Sequence, residues 1–593
     1  MGRKLDILEL KQLIKSYKDY YRNFHSQCAE EDTYYNSEFK ISVAKNQPKI
    51  LLPLGRIAID DASIQVDTKN ILVHVRPRNP DSAKEREIAE TKRKFYLGAL
   101  NRVATEQGLI LHQAVKHCFL YGMSVIGTFY ERDLWIDAPD EEDYEDRRTW
   151  EKGIAEWSRT SYFPLSLKVY NPQSVMPDPL GRCVIIATKK KGADIALKYP
   201  EFNQYLSPEA QQSNIDWVEY WDDEYYIKLG GNEWIVEEGE HGYGFNPFIV
   251  IDAGLGYLDA NASPEQRYRG LLHGSHSLLK GMSRAVSQAE AIMRQFAWPQ
   301  ERITGEERAA SLYMRQAKAG PGTDVYVPEG ISIETTDPKA PPQELLQLLS
   351  YMDSVYSQAT VSKVIQGIRP TGAASGYMTA VLAGMAAAKF GPVLFAMERA
   401  IEKVNEHFGM LVERIVDAPV TVWAQTPAES IDEVIKPSDF NGYYANTVKL
   451  SRVAPEEESR KAHDGAFLYQ TGLISAEFWA ERYGGVPNYS EVRKQIIKER
   501  ILMSPPVMEA IIQALLQSQE MAQEAEAIAG GPVNIGNQGQ PPSPALGGGV
   551  TSPRSRLTRP VMPGSIEEQQ QTSRQIKQGG VPMTQRPGMG GRL

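Results

Sequence analysis

From Tyr377 to Val416 the chain carries a helical pattern of roughly forty residues, with Gly384 and the pair Gly391-Pro392 as expected kinks. Helices in globular proteins average about eleven or twelve residues, so one this long needs a long body, or neighbouring copies, to lie against. Directly ahead of it the chain crowds Gly372, Ala373, Ala374, Ser375 and Gly376 into a single small-residue turn. Two further helical patterns precede that turn. Arg267–Phe296 carries Leu271, Leu278, Met282, Val286, Ala289 and Met293 along one side and stops at Trp298-Pro299. Glu344–Ile368 carries Leu345, Leu348, Leu349, Met352, Val355 and Tyr356. Between them, Pro299–Pro342 holds Gly320, Pro321, Gly322 and the β-like runs "DVYVP" and "ISIET". The order is therefore helix, small β module, helix, small-residue turn, long helix.

The segments on either side are mixed. Apolar residues from Leu5 to about Ala29 recur at helical spacing between lysines, which predicts an amphipathic docking helix in residues 1–36. Lys84–Ala104 and Leu109–Leu120 read as helices, the second stopping at Gly122, and "MSVIGTFYE" as a strand. The runs Leu165–Tyr170, Arg182–Thr188, Trp217–Leu229 and Glu233–Glu237 have strand character, and "LGGNEW" is a hairpin turn signal. After the long helix, "VTVWAQ" and "KPSDFNGYYANTVKL" return to strand character, and residues 456–529 are helical again. Beyond Gly530 the chain is rich in Gly, Pro, Gln and Ser, so it cannot offset the entropy of ordering and is expected to be disordered. The expected fold class is α+β and helix-rich. With 593 residues, two to four domains are expected.

Charge and motifs narrow the chemistry. A formal charge of −10 argues against a surface that grips nucleic acid all over, while permitting a conduit that touches DNA lightly. Cys28, Cys118 and Cys183 are far apart and form no CxxC pair, so neither a disulfide framework nor a zinc knuckle is expected. The N-terminus has charges every few residues, unlike a signal peptide, and the best apolar run, Val381–Met397, is broken by Lys389 and Pro392, so no membrane span is expected. No GxxxxGK[ST] loop and no GxSxG elbow occurs, and "GLGYLD" at Gly254 reads as a turn. "HGSH" places His273 and His276 at i and i+3, a spacing that can bind metal, but without HExxH or a third carboxylate nearby. The acidic stretch from Asp137 to Asp146 lacks calcium-loop spacing. The expectation is no catalytic residue, no metal and no cofactor.

The stretches "GRIAIDDASIQVDTKNILVHVRP", "FLYGMSVIGTFYE" and "VYNPQSVMPDP", followed by the helix, module, helix and turn above and by "VIKPSDFNGYYANTVKL" and "LYQTGLISAEFWAERYG", together resemble the portal protein of a tailed double-stranded DNA bacteriophage. The resemblance covers about residues 40–500 and is one of layout rather than of an invariant signature. It implies a wing in two segments (37–266 and 377–455), stem helices at 267–298 and 343–368, a clip at 299–342, a tunnel loop at 369–376, a crown at 456–529 and a disordered tail at 530–593. It further implies a homo-oligomeric ring, commonly of twelve subunits, at one capsid vertex of the virion, assembled in the host cytoplasm. Double-stranded DNA would pass through it without sequence preference. Its partners would be the terminase large subunit, head-completion and tail adaptor proteins, and the major capsid and scaffold proteins.

On that resemblance Arg369, Thr371, Gly372, Ala373, Ala374, Ser375 and Gly376 would form the tunnel loop. Small side chains there would let many copies crowd one axis, and Arg369 would offer a phosphate contact. Lys280, Arg284 and Arg294 on the stem helix would face either DNA or the solvent and neighbouring subunits. The locally basic tail, with Arg554, Arg556, Arg559, Arg574, Lys577, Arg586 and Arg592 against Glu567 and Glu568, would touch DNA or scaffold or remain solvated. Two alternatives stay open: another ring-forming virion connector, and a nucleic-acid-processing enzyme whose conceivable ligands are His273, His276 and the Asp137–Asp146 cluster.

Overall fold

The computed structural model describes residues 6–500 apart from 46, 232–233, 258, 260, 298–300, 317–326, 328, 336–342, 369–375, 426–429, 453–464, 477–478, 481–492, 494–495 and 498–499. Residues 1–497 make one compact unit, and of the other, 498–593, only Arg500 is described. The fold is α+β with helix predominating. The expected crown and tail fall largely outside the described residues.

Helix α1, Ile7–Tyr35, is opened by a capping box in which Asp6 and Glu9 bond each other's backbone N–H groups. Leu10, Ile14, Tyr21, Phe24, Cys28, Glu31 and Tyr34, mostly three or four apart, are its buried face. That face is spent on this chain's own core rather than left for a partner. Next come α2 (Leu54–Ile64), strand β1 (Val66–His74), α3 (Ala83–Gln107) and α4 (Ile110–Tyr121). Gly122 ends α4 in the left-handed region (φ +78°), its N–H on the Cys118 carbonyl.

Strand β2 (Met123–Tyr130) is buried along almost all of its length, as the middle strand of a covered sheet must be. A helix that no sequence pattern marked, α5 (Arg147–Thr160), follows the acidic loop, its N-terminus capped by the Asp146 carboxylate on the Thr149 N–H. Then come β3 (Leu165–Tyr170), β4 (Val175–Pro177), β5 (Val184–Lys191), α6 (Gly192–Lys198), α7 (Pro208–Gln212), β6 (Asn214–Trp221), β7 (Tyr225–Gly230), β8 (Trp234–Glu240) and β9 (Phe248–Asp252). The expected run Trp217–Leu229 is thus two strands. Asp222 turns the chain by accepting the N–H groups of Glu224 and Tyr225. Two antiparallel sheets result, one ordered β3-β2-β9 and one ordered β4-β5-β6-β7-β8.

The expected helix from Arg267 is shorter at its start. α8 (Pro264–Arg267) is a single turn, residues 268–272 run non-helically across the end of α4, and α9 spans His276–Ala297. Backbone proximity forbids an earlier start. The Leu271 N–H bonds the Phe119 carbonyl, and a Cβ at Gly270 would lie 1.9 Å from the Leu120 oxygen. Beyond α9 a small module comprises β10 (Glu301–Gly305), α10 (Glu307–Gln316) and β11 (Ile331–Thr335), with β10 and β11 antiparallel. The run "DVYVP" lies mostly outside the described residues.

The second expected stem helix, which with α9 makes a two-helix pillar, is α11, Gln343–Ala359, and residues 360–368 continue as turns rather than helix. The forty-residue helix is broken. α12 (Gly376–Ala387) is joined by a 3-10 turn at Ala388–Phe390 to α13 (Gly391–Leu411), which runs into a π turn at Val412–Val416. Pro392 lacks the N–H that would carry the helix through, so the break falls there and not at Gly384. The hairpin β12 (Val420–Gln425) and β13 (Ser430–Ile435), the turn α14 (Pro437–Phe440) and β14 (Thr447–Arg452) follow, and of the residues beyond them 465–470 are helical, as expected.

The segments before and after the pillar form one body. β1 pairs antiparallel with β14, opposing Val73 to Val448 and Ile71 to Leu450. On β14's other edge, the buried carboxylates of Glu402 and Glu398, one turn apart on α13, accept the N–H groups of Val448 and Leu450, both at 3.1 Å. Helix α3 lies on the β12–β13 hairpin, where Gly98 comes so close that a Cβ would sit 2.7 Å from the Val422 Cβ. A single hydrophobic cluster runs through α1, α3, α4, the β3-β2-β9 sheet, the roots of α9 and α11, and α13.

Candidate functional site

Helices α9 and α11 stand side by side. Gly281 admits the tip of Met352, and Met352 anchors an apolar face made with Leu345, Leu349, Val355 and the buried Tyr356. At 100° per residue, Leu346 lies about 120° to one side of Met352 and Tyr351 about 100° to the other. Both are open to solvent, 59% and 68% exposed. Exposed apolar side chains therefore stand on both flanks of α11, continuous with the buried face on the Tyr351 side and separated from it by Asp353, about 100° from Met352, on the Leu346 side.

On α9, Lys280, Arg284 and Arg294 fall within an arc of about 80°. They are not a free basic stripe. Lys280 sits over the Tyr34 ring, 5.4 Å from its centroid, and its pKa is raised by the hydrogen bond it makes there. The Arg294 Nε donates to the Glu290 carboxylate one turn back, at 2.8 Å. Arg284 is exposed and, among the described residues, has no hydrogen-bond or ion-pair partner. Residues 50–52 run along this helix as well. Ser287 accepts the Ile50 N–H at 3.0 Å and Ser283 the Leu52 N–H at 3.2 Å. Two buried serines on a helix otherwise read as stem were the missed signal that a chain segment docks there.

Arg369, Thr371, Gly372, Ala373, Ala374 and Ser375 lie outside the described residues, and Gly376 is the first residue of α12. The described residues on either side of them are tied to the body. On the outgoing side Lys363 pairs with Asp353, and the Gln366 amide donates to Asp61 at 2.8 Å. On the returning side the Lys389 ammonium reaches back to the carbonyls of Gln358, Ala359 and Thr360 at the end of α11.

The histidine pair of "HGSH" acquires a carboxylate that no sequence spacing could indicate. Glu31 of α1, wholly buried, accepts from the His276 Nε2 at 2.9 Å, and the His273 Nδ1 lies 3.6 Å from its second oxygen. The Tyr34 ring stacks on His276 at 3.8 Å. Among the described residues no three or more His, Cys, Asp or Glu side chains are arranged to hold a metal ion. The cluster fastens α1 to the root of α9: the Glu31 Oε2 is hydrogen-bonded, while its Oε1 and the His273 Nδ1, both buried, have no hydrogen-bond partner among the described residues. The three cysteines are buried, and burial pushes their thiol pKa values up, that of Cys183 to about 11, away from the thiolate that nucleophilic chemistry needs. Among the described residues no helix is long and apolar enough to cross a membrane.

No protein-family model matches this chain, and no curated protein matches it.

Proposed function

We propose that the chain is one subunit of a ring-shaped DNA conduit, the portal at a single capsid vertex of a tailed double-stranded DNA bacteriophage. In this reading residues 37–266 and 377–455 are the two wing segments, α9 and α11 the stem, the β10–α10–β11 module the clip, and residues 369–376 the tunnel loop. The observation that carries it is the pairing of α9 with α11 together with the apolar surplus on both flanks of α11. A single extra partner would cover one flank. Surplus on two opposite flanks fits heterologous contacts repeated around a closed ring. The sharing of one sheet by β1 and β14, with the pillar leaving from between them, supports the two-segment wing.

The mechanism is geometric rather than covalent. The ring closes the shell at one vertex, passes DNA inward while the terminase motor pulls at the clip, holds the genome, and lets it leave once head-completion and tail proteins attach. Capsid and scaffold proteins would meet the wing. Sequence-neutral contact by few cations, rather than a strongly basic lining, lets DNA slide.

Negative-stain imaging of the purified full chain tests the reading. Rings around a central hole are expected; compact monomers alone, at concentrations of tens of micromolar, overturn it.

A further inference from the structure

Between β2 and β3 the chain makes an excursion that leaves both charge and apolar side chains in solvent. Residues 131–148 hold nine carboxylates against three arginines, so this one stretch carries a formal −6 in a chain of −10. It is firmly anchored all the same. The buried Trp135 donates its indole N–H to the Tyr162 carbonyl at 2.9 Å and lies edge-on to Trp157 of α5 at 5.3 Å. The buried Trp150 donates to the Pro139 carbonyl at 2.8 Å, and Tyr144 closes on α5 where Gly153 leaves room for it, since a Cβ there would lie 2.6 Å from the Tyr144 hydroxyl. Around the Trp135 anchor three large apolar side chains remain open to water: Leu134, Ile136 and Tyr162, 40%, 78% and 68% exposed. Two adjoin Trp135 in the chain and the third through the indole hydrogen bond, so they form one patch rather than scattered single residues. Onward from Ile136 come Asp137, Asp140, Glu141, Glu142, Asp143 and Glu145, all exposed and, among the described residues, without an ion-pair partner.

We propose that this face docks a cationic segment of a partner protein, its apolar side chains seated on Leu134, Ile136 and Tyr162 and its lysines or arginines against the carboxylates of residues 137–145. Like charges fixed so close together repel one another, a cost that an unanchored loop would lower by spreading into solvent. The indole anchors hold them in place instead, which lowers the ordering cost of binding. A bound cation relieves the repulsion, and an apolar side chain on the patch takes Ile136 and Tyr162 out of water. The same charge opposes other occupants. A second copy using this face would set carboxylate against carboxylate, and a nucleic acid or an anionic membrane would be repelled likewise. The proposal stands apart from the conduit reading, because it needs neither a ring nor DNA.

The test uses the full chain and, as probe, a fluorescent peptide of lysine and leucine at helical spacing, with the same peptide carrying glutamate for lysine as its control. Anisotropy should show saturable binding of the first and none of the second. Ile136→Ser combined with Tyr162→Ser is expected to weaken binding about tenfold, the weight of one interface anchor. Glu141→Gln, Glu142→Gln and Asp143→Asn together should weaken it as much and flatten its salt dependence. Asp194→Asn, Glu201→Gln and Glu209→Gln, at exposed carboxylates of the α6–α7 region, remove the same charge elsewhere and should change it little. All these side chains are exposed, and unchanged thermal midpoints show that binding rather than folding has been altered. No binding by the parent, parent-like binding by the serine pair, or an equal loss in the distant charge variant overturns the proposal. So does a serine pair that lowers the chain's association with itself in sedimentation velocity while the peptide leaves the parent's association untouched, which makes a second copy the occupant.

Discussion

Gly281 of α9 receives Met352 of α11 so closely that a Cβ at position 281 would lie 2.6 Å from the Met352 Cε. The obstructing atom is the tip of a flexible side chain, so the two possible directions of change separate cleanly. Gly281→Ala should be tolerated: Met352 swings aside, and a helix interior gains about 1 kcal/mol on exchanging glycine for alanine. Gly281→Leu cannot be absorbed this way. It should push α11 off α9, lower the thermal midpoint by several degrees and, if the chain assembles as proposed, reduce the ring fraction in sedimentation velocity. A leucine variant that melts and assembles like the parent would mean that the pillar does not depend on this spacing.

Where α4 ends, tolerance is absent. Gly270 faces the Leu120 carbonyl oxygen at 1.9 Å from a would-be Cβ, and Gly122, already at φ +78°, would meet the Arg269 nitrogen at 2.3 Å. Backbone meets backbone in both cases. Gly270→Ala should cost more than about 3 kcal/mol, seen as a lower urea midpoint or as loss of soluble protein. Gly274→Ala, in the next turn with nothing within 4 Å of its Cβ, is the matched control and should be neutral.

The same crossing explains what sequence patterns could and could not reveal. Local signals worked where local physics decides: the glycine stop after α4, the turn between β7 and β8, and the buried run of β2 are all legible in single stretches. The start of α9 was not, because the apolar spacing of Leu271 and Leu278 continues a helical pattern that only the distant Phe119 and Leu120 carbonyls interrupt. Helix α5 was hidden behind its acidic loop, having just Trp150, Ile154 and Ser158 as its buried face. At the site, the pairing of α9 with α11 follows from two amphipathic patterns flanking a short module. The Glu31–His276 bond and the Lys389 tie join residues 245 and 30 positions apart, and neither leaves a periodic trace.

Two buried histidines predict an acid weakness. Burial, with Lys403 as a smaller cause, holds the His407 pKa down at about 3, and burial holds that of His117 at about 4. In the unfolded chain both return to about 6.5. Below that value the unfolded state binds protons that the folded state refuses. Their stabilising contribution is therefore full above pH ~6.5 and is lost as the pH falls from there toward 4, at about 1.4 kcal/mol per pH unit for each histidine. Comparing urea midpoints of the parent and His407→Gln at pH 7.5, 6 and 5 isolates one share. The variant, which also gives up the 2.8 Å bond to the Thr128 hydroxyl, should be less stable at pH 7.5 but lose less on acidification. Parallel curves would show that the His407 pKa is the same in the folded and unfolded states.

The stem cations make unequal predictions because their surroundings differ. Lys280 is held over Tyr34 and Arg294 by Glu290, whereas Arg284 has no such partner among the described residues. Only Arg284 can turn to a phosphate without first giving up a partner, although residues 50–52 run along the same helix. If DNA passes this face of α9, removing one cation–phosphate pair lowers the slope of log affinity against log salt by about 0.9. Arg284→Ala should therefore flatten the salt dependence of DNA binding by assembled rings, while Lys280→Ala and Arg294→Ala change it less. Fluorescence anisotropy with a short duplex between about 50 and 200 mM salt reads the difference. Equal slopes for the parent and Arg284→Ala would overturn a phosphate contact by Arg284.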